Sequence, residues 1–575
     1  MDRRMLLAML LAVGVLVANS LFFGSKKRAG EAIPAPTDTS RVLPAEPTAK
    51  DAPQPEVKQG PAMAAGAAML RDTIVAESTG LVIVDTDLVR AEFDPRGGEL
   101  RSWTLKRFTD GTGRPADMVR NREFGALWFA LREGDRVIRT DSTLFRASVE
   151  RGPDETVVQF DAEDPSGIKV RKTFRVPKSK YDCRLDIAVQ GIGAGNENGS
   201  WEIGWVDGLP TLERDPRADQ AAFAAVGLFG KDYIKTGAGG GVFGCASKGT
   251  GHRSEVSEGT LKWLGVRNKY FLGALLLDQP RERRIVTSYD GADHSAGAIL
   301  LEPLSMSGAT ETGYRLYLGP IHYTILEAYG VGLERVQDLG PGVMRPFSKL
   351  LMKFFVALNK LVPNFGFEIL ILSILIRVLF YPLTKKSMDS MRRMQQLKPE
   401  MDRINEKHKG DPERKNREVL ELYRKNKINP LGGCLPVLVQ LPVLSGLYYV
   451  LANAVQLRKE PFALWITDLS APDTVAHVAG FPVNIMPLIM AGTMVWQQKI
   501  TPTDPRQKSL GYMMPIFMTF LFYTTPSGLV FYWTVSNLMT VLQQVWMNRG
   551  VQELAPVAVN QDPGGGGSRW KGRRG

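Results

Sequence analysis

The sequence predicts an α-helical membrane core with five spans and an N-terminal anchor, joined to a large β domain. Three observations carry that prediction. Long apolar runs sit at the extreme N-terminus and after residue 364, the distribution that membrane spans around a soluble insert leave behind. Between them, short alternating runs are broken by turn residues, which is the signature of strands. At 575 residues the chain also exceeds one ordinary domain. Its net charge of +12 comes largely from basic residues clustered beside apolar runs, where anionic phospholipids and the positive-inside bias account for them. No sequence-specific nucleic-acid partner is therefore expected.

Residues 1–28 open with Met5 to Phe23, 19 uncharged positions that are enough at about 1.5 Å per residue to cross most of a bilayer. The run is longer than a usual signal core and reads as a retained anchor. Residues 29–72, rich in Pro, Ala and Thr, read as a flexible linker. Residues 73–330 are expected to form a mainly β sandwich: Val89, Ala91 and Phe93 alternate with Arg90 and Glu92 before the turn Asp94-Pro95-Arg96-Gly97-Gly98. A second turn lies at Asp164 to Gly167. The Gly-rich piece from Gly237 to Gly241 lacks the Lys-Ser/Thr of a phosphate loop and reads as a loop. Cys183 and Cys245 either pair in an oxidising compartment or stand as separate buried thiols. With Cys434 they are the only cysteines, and neither a metal nor a cofactor is expected.

Residues 343–362 carry Met344, Phe347, Leu350, Leu351, Phe354, Phe355 and Leu358 at helical spacing. They predict an amphipathic helix in the membrane interface, or an ordinary packing helix. The core, 364–548, holds five candidate spans at Phe365 to Leu383, Leu435 to Leu451, Val483 to Gln498, Leu510 to Thr524 and Gly528 to Met547. Residues 385–427 contain fourteen Lys/Arg against eight Asp/Glu, which assigns that loop to the cytoplasm. The next long loop, Arg458 to His477, has two against three. Both termini are then cytoplasmic and the β domain external. Residues 385–428 read as a helical hairpin whose stripe of Met388, Met391, Met394, Leu397 and Met401 either docks a partner or packs between the arms. Residues 549–575 form a basic, Gly-rich tail.

Arg377 is the most informative residue, a permanent charge inside an apolar span, which costs roughly 2.5–3.5 kcal/mol on insertion scales. Its nearest carboxylate in sequence within a span, Glu368, lies about 13 Å along the same helix. Polar residues on other spans are candidates to line a hydrated groove around it: Gln440, Thr493, Gln497, Thr519, and on the last span Tyr532, Ser536, Thr540 and Gln544, four residues apart on one face. Hydrogen bonds between helices are the competing explanation for them. Arginine is a poor general acid or base, and no catalytic arrangement accompanies it. The chain is read as a non-enzyme that attracts polar or acidic peptide.

Arg377 with Tyr381-Pro382-Leu383-Thr384, Asn429-Pro430-Leu431-Gly432-Gly433-Cys434-Leu435-Pro436, Pro526-Ser527-Gly528-Leu529 and Val535-Ser536-Asn537-Leu538 resemble the YidC family of bacterial membrane-protein insertases. The resemblance spans about residues 343 to 548. It implies a β-supersandwich for the external domain, a groove open to lipid and cytoplasm, and substrate-facing positions at Arg377, Ser373, Tyr532 and Trp533. The resemblance further implies insertion and chaperoning of nascent membrane proteins in the inner membrane. SecYEG, the ribosome, a targeting receptor and anionic phospholipids are its implied partners. A small-solute transporter and a noncatalytic assembly scaffold are the competing functions.

Overall fold

The computed structural model describes residues 68–69, 80–121, 125–133, 136–165, 167–191, 199–238, 251–303, 309–426, 428, 435–500 and 508–549. The expected anchor, most of the linker, the tail, Cys245 and Cys434 lie outside these residues. Two compact units emerge, divided between Asp338 and Leu339.

The first unit is built of two sheets. Strands β2 (Val82–Asp85), β3 (Val89–Asp94), β4 (Glu99–Thr109) and β5 (Pro115–Asp117) form an antiparallel four-stranded sheet. Val89, Ala91 and Phe93 point inward as their alternation requires, and Gly97 and Gly98 hold positive φ at the predicted turn. The second sheet has 14 strands. One edge is β1 (Ala68–Met69), which adds parallel to β7 (Arg136–Arg139), so the last part of the expected linker joins the sheet. The centre is β16 (Phe271–Asp290), 20 residues long, which pairs with β15 (Arg253–Arg267), β17 (Ser295–Pro303) and β18 (Ala309–Pro320). Trp103 joins the two sheets: it is fully buried, and its indole N–H donates to the Leu318 carbonyl at 2.8 Å. Cys183 is buried and, among the described residues, a free thiol; its alternative partner Cys245 lies outside them.

Lys172 sits wholly inside this unit. Its Nζ donates to the Gly97 carbonyl at 2.7 Å and the Thr140 hydroxyl at 3.2 Å, and it faces the Phe129 ring at 4.7 Å. Burial lowers the lysine's pKa and raises that of Glu99, each opposed by the other's charge. A carboxyl whose folded value lies above its unfolded one contributes stability below the unfolded value, lost as pH rises through the folded value. The domain is therefore expected to lose Glu99's contribution as pH climbs above 4.5. Urea unfolding across the acid-to-neutral range should show a shallower fall for Glu99→Gln; equal slopes would remove Glu99 as the cause.

The second unit is helical: α1 (Arg345–Asn359), α2 (Phe365–Leu379), α3 (Tyr381–Gln396), α4 (Lys398–Lys407), α5 (Pro412–Lys425), α6 (Leu435–Asn453), α7 (Met486–Ile500), α8 (Lys508–Phe522) and α9 (Ser527–Arg549). Each of the five expected span intervals overlaps a helix, and the first overlaps two, α2 and the start of α3. Among the described residues no single helix is both long and apolar enough to cross a membrane, and one pair, α2 with α3, passes together with a 60° bend. The first span was expected to run unbroken to Leu383. It ends at Leu379, and the next helix starts at Tyr381 with Pro382 in its first turn, where proline's missing N–H and its ring break the ladder back to the preceding turn. The hairpin's first arm breaks again at Leu397, before Pro399.

Helix α1 buries Ser348, Leu351, Met352 and Phe355 and packs against α6, while Leu350 stays 68% exposed. Glu368, which had no sequence-level explanation, is fully buried and accepts a hydrogen bond from Asn359 Nδ2 at 2.7 Å, tying α1 to α2.

In the hairpin, Leu397 and Met401 cluster with Tyr423 and Ile428, flanked by Met394, Val419 and Leu422. This part of the methionine stripe packs between the arms. Tyr423 donates its hydroxyl to Met401 Sδ at 3.2 Å. Tyr423→Ala is expected to remove up to ~3 kcal/mol of local packing, which amide exchange in α4 and α5 would register as a roughly hundredfold loss of protection. Unchanged protection would show that the arms hold without this cluster.

Candidate functional site

Arg377 occupies the last turn of α2, where the helix dipole favours a cation by about 0.3–1 kcal/mol. Its Nη2 donates to the Ser536 backbone carbonyl at 2.7 Å and to the Thr540 hydroxyl, both on α9. Charge-assisted bonds contribute about 1.5–3 kcal/mol each, so two of them match the insertion cost of the charge. Among the described residues Arg377 makes no ion pair. Its partners are neutral oxygens, one of them a backbone group.

The four-residue spacing on α9 places Tyr532, Ser536, Thr540 and Gln544 on one buried face. The Thr540 hydroxyl also donates to the Ser536 carbonyl at 2.7 Å, which aims its lone pairs outward. Gln440 on α6 donates from Nε2 to the Tyr532 hydroxyl at 3.3 Å. Three helices thus converge: α2 supplies the charge, α9 its acceptors, and α6 fixes the phenol.

The remaining predicted residues are placed differently. Ser373 and Thr519 donate their hydroxyls back to carbonyls of their own helices, Ile369 at 2.7 Å and Pro515 at 2.8 Å. Thr493 donates to the Met490 carbonyl and accepts from Asn537 Nδ2 at 3.3 Å, linking α7 to α9. Gln497 is partly buried on α7. Trp533 packs on Phe522 with ring centroids 5.4 Å apart, and its indole N–H is buried without a partner. Sequence reasoning did not single out Asn537 as a site residue. The signal was available, since an amide in an apolar helix usually marks a contact between helices.

Residues 357–554 match the 60Kd inner membrane protein family, and residues 81–354 match the YidC periplasmic domain. These matches, over a β unit and a helical unit, define a bacterial inner-membrane protein with a periplasmic β domain. The chain belongs to the YidC family of membrane protein insertases. The YidC insertase of Chlorobaculum parvum is 31% identical over 568 residues, covering 94% of each chain. That of Pelobacter propionicus is 33% identical over 580 residues, covering 96% of this chain and all of its own length. A crystal structure of an active YidC insertase with its first transmembrane domain resolved is 18% identical, with a TM-score of 0.37, over 82% of this chain and 93% of that one.

Proposed function

We propose that this protein moves nascent hydrophobic segments into the bacterial inner membrane and assists their folding, alone or beside the Sec translocon. The observation that carries the reading is Arg377, a cation held among apolar helices by neutral oxygens, with no ion pair among the described residues. A substrate carboxylate arriving there displaces a hydroxyl and a carbonyl rather than a resident anion. Burial of the incoming apolar segment in lipid supplies the downhill step, and no bond is made or broken.

In this reading the five helices at the five apolar intervals are spans, residues 1–28 anchor the chain, and both termini face the cytoplasm with the basic hairpin. Charge alternation between the loops supports that orientation. The buried polar face of α9 borders a hydrated groove between α2 and α6. The hairpin serves delivery and insertion of nascent chains, the basic tail assists ribosome contact or meets anionic phospholipid, and SecYEG and a targeting receptor are the further partners.

The test is reconstitution of the purified chain into liposomes with a short, single-span substrate carrying an acidic tail. Insertase action predicts a tail protected from added protease without SecYEG. Client binding without protection would indicate a scaffold, and saturable solute leakage would indicate a transporter; either result replaces the proposal.

A further inference from the structure

The β domain contains a cavity of about 240 Å³ that the insertion reading leaves unused. Its wall combines two tryptophans, two arginines and three carboxylates, and several of their polar atoms are stranded. Trp205 is only 2% exposed, and its Nε1 is buried with no hydrogen-bond partner among the described residues. The same holds for Trp128 Nε1, Arg139 Nε and Asp141 Oδ1. All four residues line this one space, together with Glu99. Buried polar atoms in folded proteins nearly always find partners, so a convergent set without them is a site shaped for something that supplies them.

The stranded atoms are three donors and one acceptor, and the charges around them nearly balance. Arg139 pairs with Asp141 through its other nitrogen and lies 4.8 Å from the Trp128 ring centroid. An anionic ligand would meet the carboxylates of Glu99, Asp141 and Asp207, and a cationic one would meet Arg139 and Arg120, the latter already donating to the carbonyls of Asp207, Asp293 and His294. A hydroxyl both donates and accepts, so a neutral ligand with several hydroxyls satisfies the whole set. The volume lies below the ~300–1,000 Å³ of drug-sized sites, which limits the occupant to about one ring. Its backbone wall is close: a Cβ on Gly125, where φ is +73°, would stand 2.8 Å from Glu99 Oε2.

We propose that this cavity binds one neutral polyhydroxylated ring, a pyranose unit of a saccharide. The site is independent of Arg377 and lies wholly within the β unit.

Titration of the full-length protein in detergent with methyl α-glucopyranoside, methyl β-galactopyranoside and maltose, followed by tryptophan fluorescence and calorimetry, tests this. Saturable binding of at least one pyranoside is expected, with none for glycerol or acetate. Trp205→Phe keeps the ring's bulk and removes the N–H, and Asp141→Asn exchanges the acceptor's charge. Each is expected to weaken binding about tenfold, the effect of one good hydrogen bond. Thermal unfolding without sugar identifies any variant that fails to fold, in which case the other decides. No saturation by any of the three sugars, undiminished binding by the folded variants, or saturation by a neutral peptide such as N-acetyl-Gly-Ser-Gly amide instead would overturn the proposal.

Discussion

Arg377→Ala is expected to cut insertion of acidic-tailed, single-span clients by about tenfold or more, while clients with neutral tails lose far less. The alanine removes the charge that Arg377 offers an arriving carboxylate, and one charge-assisted hydrogen bond at roughly 1.5–3 kcal/mol corresponds to about one to two powers of ten. Arg377→Lys keeps the charge, but its ammonium sits on a different, more flexible stem than the guanidinium whose Nη2 serves both Ser536 and Thr540, so it should retain an intermediate fraction. An outside-positive potential adds about 2.3 kcal/mol per negative charge per 100 mV, and should raise the wild-type yield for acidic tails more than for neutral ones. The measurement is the protease-protected fraction at matched protein density. Equal insertion of acidic and neutral tails by wild type and Arg377→Ala would end the electrostatic account.

Trp103→Ala is expected to destabilise the β domain by about 3–5 kcal/mol, the cost of emptying a large buried site. At roughly 2–4 °C per kcal/mol for a domain of this size, its unfolding temperature should fall by about 6–20 °C. Trp103→Phe preserves most of the volume but strands the Leu318 carbonyl, costing about 1–3 kcal/mol. Thermal scans of the full chain followed by near-ultraviolet circular dichroism resolve the two. If both substitutions cost the same, packing and not the hydrogen bond between sheets sets the site's contribution.

Much of this architecture was legible in the residues, and the gaps have physical causes. The alternation at Val89, Ala91 and Phe93 is readable because one face of an antiparallel pair is buried and the other wet. The α9 face was readable because side chains four apart on a helix share a side. The break at Phe380 was also legible, through Pro382, but a long apolar run masked it. What could not be read was pairing at long range: Trp103 and Leu318 are 215 positions apart, and nothing in either local stretch names the other. The Arg377 acceptor was hidden for a different reason. Ser536 contributes its backbone carbonyl, a group every residue carries, so no side-chain pattern signals it. The β-domain cavity gathers Glu99, Trp128, Arg139 and Trp205 from separate strands and loops, and only the folded register brings them together.

The interruption at Phe380 bears on how sequences of this kind can vary. In one continuous helix an added or lost residue turns everything beyond it by about 100°, so a length change in the hairpin would also swing Arg377 out of alignment with α9. A break between Leu379 and Tyr381 uncouples the two rotations. Insertions and deletions on the hairpin side are absorbed at the joint, leaving the arm free to diverge in length and phase while the charged turn of α2 keeps its bearing.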